Sequence, residues 1–124
     1  MPVITHAHPV DADGVSAARA AVLSTADAER LGHLLTLLSE PTRARILFAL
    51  VAVDELCVGD LAMSLDVSMD QSSYALKLLK GAGLVQHRRD GRVMYYRLAA
   101  GFPHQLLEHC LRELLTISGE GERG

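Results

Sequence analysis

Apolar residues recur at Leu31, Leu34, Leu35, Leu37 and Leu38, the spacing of a helix buried along one side. Ser24 and Asp27 stand ahead of that run as capping residues, and an alanine-rich stretch at 14–23 predicts a shorter helix before it. Ser39 reads as the next cap, with Pro41 in the first turn, where a missing N–H costs nothing. Ile46, Leu47, Leu50 and Val51 give that helix its stripe. A short helix is expected over about 55–65, with Val58, Leu61 and Ala62 inward, and "LDVS" at 65–68 breaks it tightly. Ser68 and Gln71 have the S-x-x-Q spacing of a capping box. The helix they open carries an apolar face of Ala75, Leu76, Leu79 and Ala82, and Gly81 and Gly83 end it.

The period then changes. "LVQHRR" and "RVMYYRL" flank Asp90-Gly91, which is the pattern of a β-hairpin. Pro103 opens a last helix with Leu106, Leu107, Cys110, Leu111, Leu114 and Leu115 on one side. A short helix, a tight turn, a capped helix and a hairpin in this order make a winged helix-turn-helix. The expected class is mainly α with a small β-hairpin. Residues 1–13 read as a flexible tail, 14–118 as the winged domain with terminal dimerisation helices, and 119–124 as a frayed end.

Composition narrows the functions. The 124 residues suit one domain, and 49% of them are apolar, enough for a core. No apolar run approaches the roughly 18 residues of a membrane span, and the N-terminus lacks the pattern of a signal peptide, so the expected location is the cytoplasm. In that reducing compartment Cys57 and Cys110 are thiols rather than a disulfide. The net charge of −3 hides an asymmetry. Between 68 and 97, Lys77, Lys80, Arg88, Arg89, Arg92 and Arg97 face only Asp70 and Asp90, a balance of +4, and the rest of the chain carries −7. A basic stretch on an acidic body is the footprint of a nucleic-acid reader; a merely solvated basic face is the bland alternative. No catalytic triad, phosphate loop or paired carboxylates point to an enzyme.

The motifs "LLSEPTRARILFAL", "ELCVGDLA" and "LKGAGLVQHRRDGRVMYYRL" resemble the ArsR/SmtB metalloregulators. The resemblance runs from about Leu31 to Leu98. It implies a homodimeric repressor that binds operator DNA and releases it when an inducer binds.

Helical spacing puts Met69, Asp70, Ser73, Tyr74 and Lys77 on the outer side of the capped helix. Ser73 and Tyr74 can contact base edges or phosphate, Lys77 can contact phosphate, and Asp70 can cap or accept from cytosine. Tyr74 stands where the family often has histidine. Arg88, Arg89 and Arg92 at the hairpin tip would reach the DNA backbone or minor groove.

The sensor candidates are Cys57 and Asp60, spaced i and i+3 so that both can point at one ion, with His6 and His8 of the tail. The bland reading is a buried thiol and a solvated carboxylate. The resemblance supports the metal, because one site type of the family joins a C-V-G-D or C-V-C segment to tail ligands from the other protomer. A set of one thiolate, one carboxylate and two imidazoles suits zinc, with cobalt or cadmium as alternatives. The family's other sensor position, on the last helix, is lost in its usual form. His104, His109, Cys110 and Glu113 remain there as an irregular second candidate, although Cys110 shares the apolar stripe. A thiol or oxidant sensor using Cys57 and Cys110 is the alternative function on the same scaffold.

Overall fold

The computed structural model describes residues 7–101 and 103–123. The chain divides into two compact units, Met1–His33 and Leu34–Gly124. In the first, α1 (Ala12–Ala21) starts two residues earlier than the alanine pattern suggests, because the Asp11 side chain accepts from the Gly14 N–H at 2.9 Å and caps it there. Ser24 Oγ accepts from the Asp27 N–H at 3.1 Å and opens α2 (Thr25–Leu38), which ends in the second unit.

The second unit holds the core. Ile46, Leu47 and Leu50 of α3 (Pro41–Ala52) meet Leu61 and Leu65 of α4 (Val58–Leu65) and Ala75, Leu76 and Leu79 of α5 (Met69–Gly81). Leu84 and Val85 complete it, where β2 (Val85–Asp90) begins. The start of α3 differs from expectation by one residue. Glu40, not Ser39, is the cap and accepts from the Arg43 N–H, while Ser39 Oγ donates to the Thr36 carbonyl at 2.6 Å. A glutamate side chain can reach the same N–H as a serine, and a preceding α2 that runs to Leu38 leaves Ser39 closing that helix instead.

Between α4 and α5 the chain reverses through Asp66, held in the left-handed region at φ 57°, and Val67 N–H returns to the Ala62 carbonyl at 3.0 Å. Ser68 Oγ then accepts from the Gln71 N–H at 3.0 Å, as the S-x-x-Q pattern predicts. Gln71 does not complete the box. Its Nε2 donates to Thr42 Oγ1 at 3.0 Å and cross-links the first turn of α5 to α3. Ala82, expected on the apolar face, caps α5 and is exposed.

The hairpin is one residue out of the expected phase. β2 and β3 (Val93–Leu98) pair as far as Asp90 with Val93, so the loop is Gly91-Arg92 rather than Asp90-Gly91. Gly91, at φ 63°, is the only loop residue in the left-handed region, the pattern of a II′ turn. The sheet also has a third strand that periodicity does not show. β1 (Leu56–Cys57) replaces the expected first turn of α4 and pairs with β3, giving the antiparallel order β1-β3-β2. Last comes α6 (His104–Arg123), entered from Pro103 and helical through residues expected to fray. Among the described residues no helix is long and apolar enough to cross a membrane.

Candidate nucleic-acid interface and metal centre

The inner and outer faces of α5 fall where helical spacing predicts. Ser72, Ala75, Leu76 and Leu79 are buried, and Met69, Asp70, Ser73, Tyr74 and Lys77 are exposed. Tyr74 keeps 62% of its surface in solvent, although an aromatic side chain would ordinarily be drawn into a core. The α5 axis is fixed at both ends. Ser68 and the Gln71–Thr42 hydrogen bond hold its start, and Leu84 N–H bonds the Leu79 carbonyl at 3.0 Å as the chain turns into the wing. A rigid helix with an uncommitted polar face can present hydroxyls and an ammonium to a groove without reordering.

The wing arginines divide. Arg89 and Arg92 are exposed and make no ion pair among the described residues. Arg88 has a partner that sequence reasoning missed. It donates through Nε and a terminal nitrogen to both Glu55 carboxylate oxygens, at 2.8 and 2.6 Å. The Glu55 carboxyl is held below the usual carboxylate range, first by those hydrogen bonds. A separation of 33 residues leaves no sequence signal for the pair.

Cys57 is the N-cap of α4. Its Sγ accepts from the Asp60 N–H at 3.4 Å, so the i, i+3 spacing has an immediate structural use. The thiol is half-buried and the Asp60 residue exposed. Both lie at the start of α4, next to solvent, with the Asp60 carboxylate not spent on the cap, because only its backbone N–H is. Of the tail candidates, His8 belongs to the other compact unit and is exposed, and His6 lies outside the described residues.

The second metal candidate does not assemble within the chain. His104 is buried, 7% exposed, and burial pushes its imidazole pKa down against the hydrogen bond to the Ala99 backbone, which raises it. His109, Cys110 and Glu113 are exposed on α6. Spacing alone puts Cys110 on the apolar stripe; the structure places it outside, because the groove-facing positions are Leu107, Leu111, Leu114 and Leu115. Among the described residues no three His, Cys, Asp or Glu side chains come together within one chain to hold a metal.

Those leucines line an apolar cavity of about 480 Å³ between α3 and α6, with Leu35, Leu47 and Phe48 on its other walls. On the same helix Leu106, Leu114, Leu115 and Ile117 are each more than 60% exposed.

Residues 40–87 match the model of the bacterial regulatory protein arsR family. Over 78 residues the chain is 41% identical to a transcriptional repressor SmtB homologue of Synechocystis sp., covering 63% of this chain and 58% of that protein, less than two thirds of its length. Over 83 residues it is 38% identical to a cadmium resistance transcriptional regulatory protein CadC homologue of Staphylococcus aureus, covering 64% of this chain and 69% of that one. Among solved structures, M. tuberculosis Rv0081 superposes with a TM-score of 0.71 at 28% identity, over 82% of this chain and all of that one. The SmtB and CadC homologues are both named as regulators of transcription.

Proposed function

This chain belongs to the arsR family of bacterial regulatory proteins, and on that premise we propose that it is a cytoplasmic transcriptional repressor that binds double-stranded operator DNA as a homodimer and lets go when a divalent metal binds. The observation that carries the reading is the exposed face of α5, with Ser73, Tyr74 and Lys77 held on a capped helix that leads directly into a wing ending in Arg89 and Arg92.

The proposed ligands are Cys57 and Asp60 of one subunit with His6 and His8 of the partner subunit. Support comes from the shared start of α4, from the uncommitted Asp60 carboxylate, and from a relative named as a cadmium resistance regulator. Among the described residues a single chain gathers no three such donors, and the proposed set takes its two histidines from the partner subunit. One thiolate among harder oxygen and nitrogen donors suits zinc, with cobalt as a spectroscopic surrogate and cadmium as a softer competitor.

The DNA half is tested by four alanine substitutions in the full chain. Lys77→Ala and Arg89→Ala should weaken binding to any duplex and flatten its salt dependence, by about one unit of slope for each phosphate left without its cation. Ser73→Ala and Tyr74→Ala should instead narrow the gap between operator and random duplex. Four variants with wild-type affinity and selectivity would remove the interface from α5 and the wing.

A further inference from the structure

Glu55, Cys57, Tyr95 and Arg88 belong to one face of the three-stranded sheet. Cys57 pairs with Tyr95 across β1 and β3, and Tyr95 with Arg88 across β3 and β2, so these three form a single rung. Residues of one rung share a face, and Glu55, just before β1, joins it through its carboxylate on Arg88. The opposite face carries Leu56 and Tyr96 against the core, with the His87 ring 5.5 Å from that of Tyr96. The outer face therefore holds a closed set. The Arg88 guanidinium lies 4.6 Å over the Tyr95 ring and forks onto Glu55, and Arg97 adds a second positive charge near that carboxylate.

A carboxylate and a phosphate offer a guanidinium the same pair of oxygens, and one fork cannot serve both. We propose that Glu55 is a positioning residue of the wing: it holds Arg88 on the outer sheet face when no DNA is bound, competes with a duplex phosphate for the guanidinium, and so sets how much the wing adds to DNA affinity. The proposal rests on the DNA-binding reading above and gives one of its arginines a regulated rather than a constant role. It also explains why Arg88 differs from Arg89 and Arg92, which have no carboxylate to leave. On that rung Arg88 stands two strands from Cys57, the proposed metal ligand, with Tyr95 between them.

The test is fluorescence anisotropy of the full chain on a labelled random-sequence duplex, since a phosphate contact needs no operator. Glu55→Gln should tighten binding by about two- to fivefold, the range of an exposed ion pair released. In an Arg88→Ala background the same change should have no effect. Glu55→Asp, which keeps the charge, should stay near wild type, and so should Asp54→Asn, which removes a neighbouring charge that Arg88 does not pair. A mere loss of packing at Glu55 would weaken binding, not tighten it. Unchanged or weaker binding by Glu55→Gln, an equal gain without Arg88, or an equal gain from Asp54→Asn would each overturn the gate. A wild-type chain that binds no duplex at all would overturn the repressor reading itself, and the gate with it.

Discussion

Cys57→Ser should abolish the sulfur-to-metal charge-transfer band of the cobalt-loaded protein and its loss of DNA affinity on adding zinc, while DNA binding without metal stays intact. The separation is clean because the proposal gives Cys57 a second job beside its cap. Its Sγ caps α4 through the Asp60 N–H, and serine is among the best residues for that position. The helix start therefore survives the change, and what disappears is the soft donor. Asp60→Asn should weaken the metal with the band retained, since its backbone N–H, not its carboxylate, serves the cap. Removing residues 1–9 should leave DNA binding unchanged and suppress the zinc response, because His6 and His8 leave with them. Binding must displace the thiol proton, so metal affinity should fall as the solution is acidified. Isothermal titration with zinc and the cobalt spectrum read these outcomes. A truncated chain that still released DNA at the same zinc level would transfer the sensor to α6, with His104, His109, Cys110 and Glu113 as the donors to replace next.

Leu115→Asp should convert the protein to monomers and cost operator binding by a factor of about 100 or more. Leu115 is 67% exposed and belongs to an apolar stripe with Leu107, Leu111 and Leu114 that no part of the second unit covers fully. Burying one leucine is worth about 1.5–3 kcal/mol. A two-fold interface uses each residue twice, so its loss costs about 3–6 kcal/mol, which is about two to four powers of ten in the dimerisation constant. An aspartate in the same place adds the cost of an unpaired charge. Because Leu115 is exposed in the single chain, the monomer should still fold. Leu111→Asp is the stricter companion, as Leu111 is half-buried and its loss also loosens α6 from α3. Sedimentation velocity reads the state of assembly. A Leu115→Asp protein that remained dimeric would put the interface elsewhere.

Periodicity reveals what depends on periodicity. The buried set Ser72, Ala75, Leu76 and Leu79 and the outward set from Met69 to Lys77 follow from one helix face packing on α3 and α4. The caps at Ser24 and Ser68 are legible because short polar side chains ahead of an apolar run have few other uses. β1 is not legible: two residues carry no period, and its existence is decided by pairing with Tyr95 and Tyr96 some 40 positions away. The hairpin is legible, but Asp-Gly centres its loop one residue early, and the true register moves the partner of Arg88 from Val93 to Tyr95. That small shift matters, because the Tyr95 ring is what Arg88 stacks on. Of the candidate site, the exposed residues of α5 can be named from spacing alone. The ion pair of Arg88 with Glu55 and the capping role of Cys57 need coordinates, since each joins a side chain to a group whose position the sheet or the helix start defines.

One titration decides whether this chain is a metal-released repressor. Wild-type protein is added to a labelled duplex carrying an inverted repeat from upstream of its own coding sequence, and to a scrambled duplex, with and without zinc. Such a repressor binds the inverted repeat more tightly, loses affinity steeply with salt, and loses a further 5- to 150-fold or so, about the usual range of coupling, when zinc is present. Equal affinity for the two duplexes, or selective binding that zinc leaves unchanged while the cobalt spectrum shows the Cys57 site filled, would contradict it.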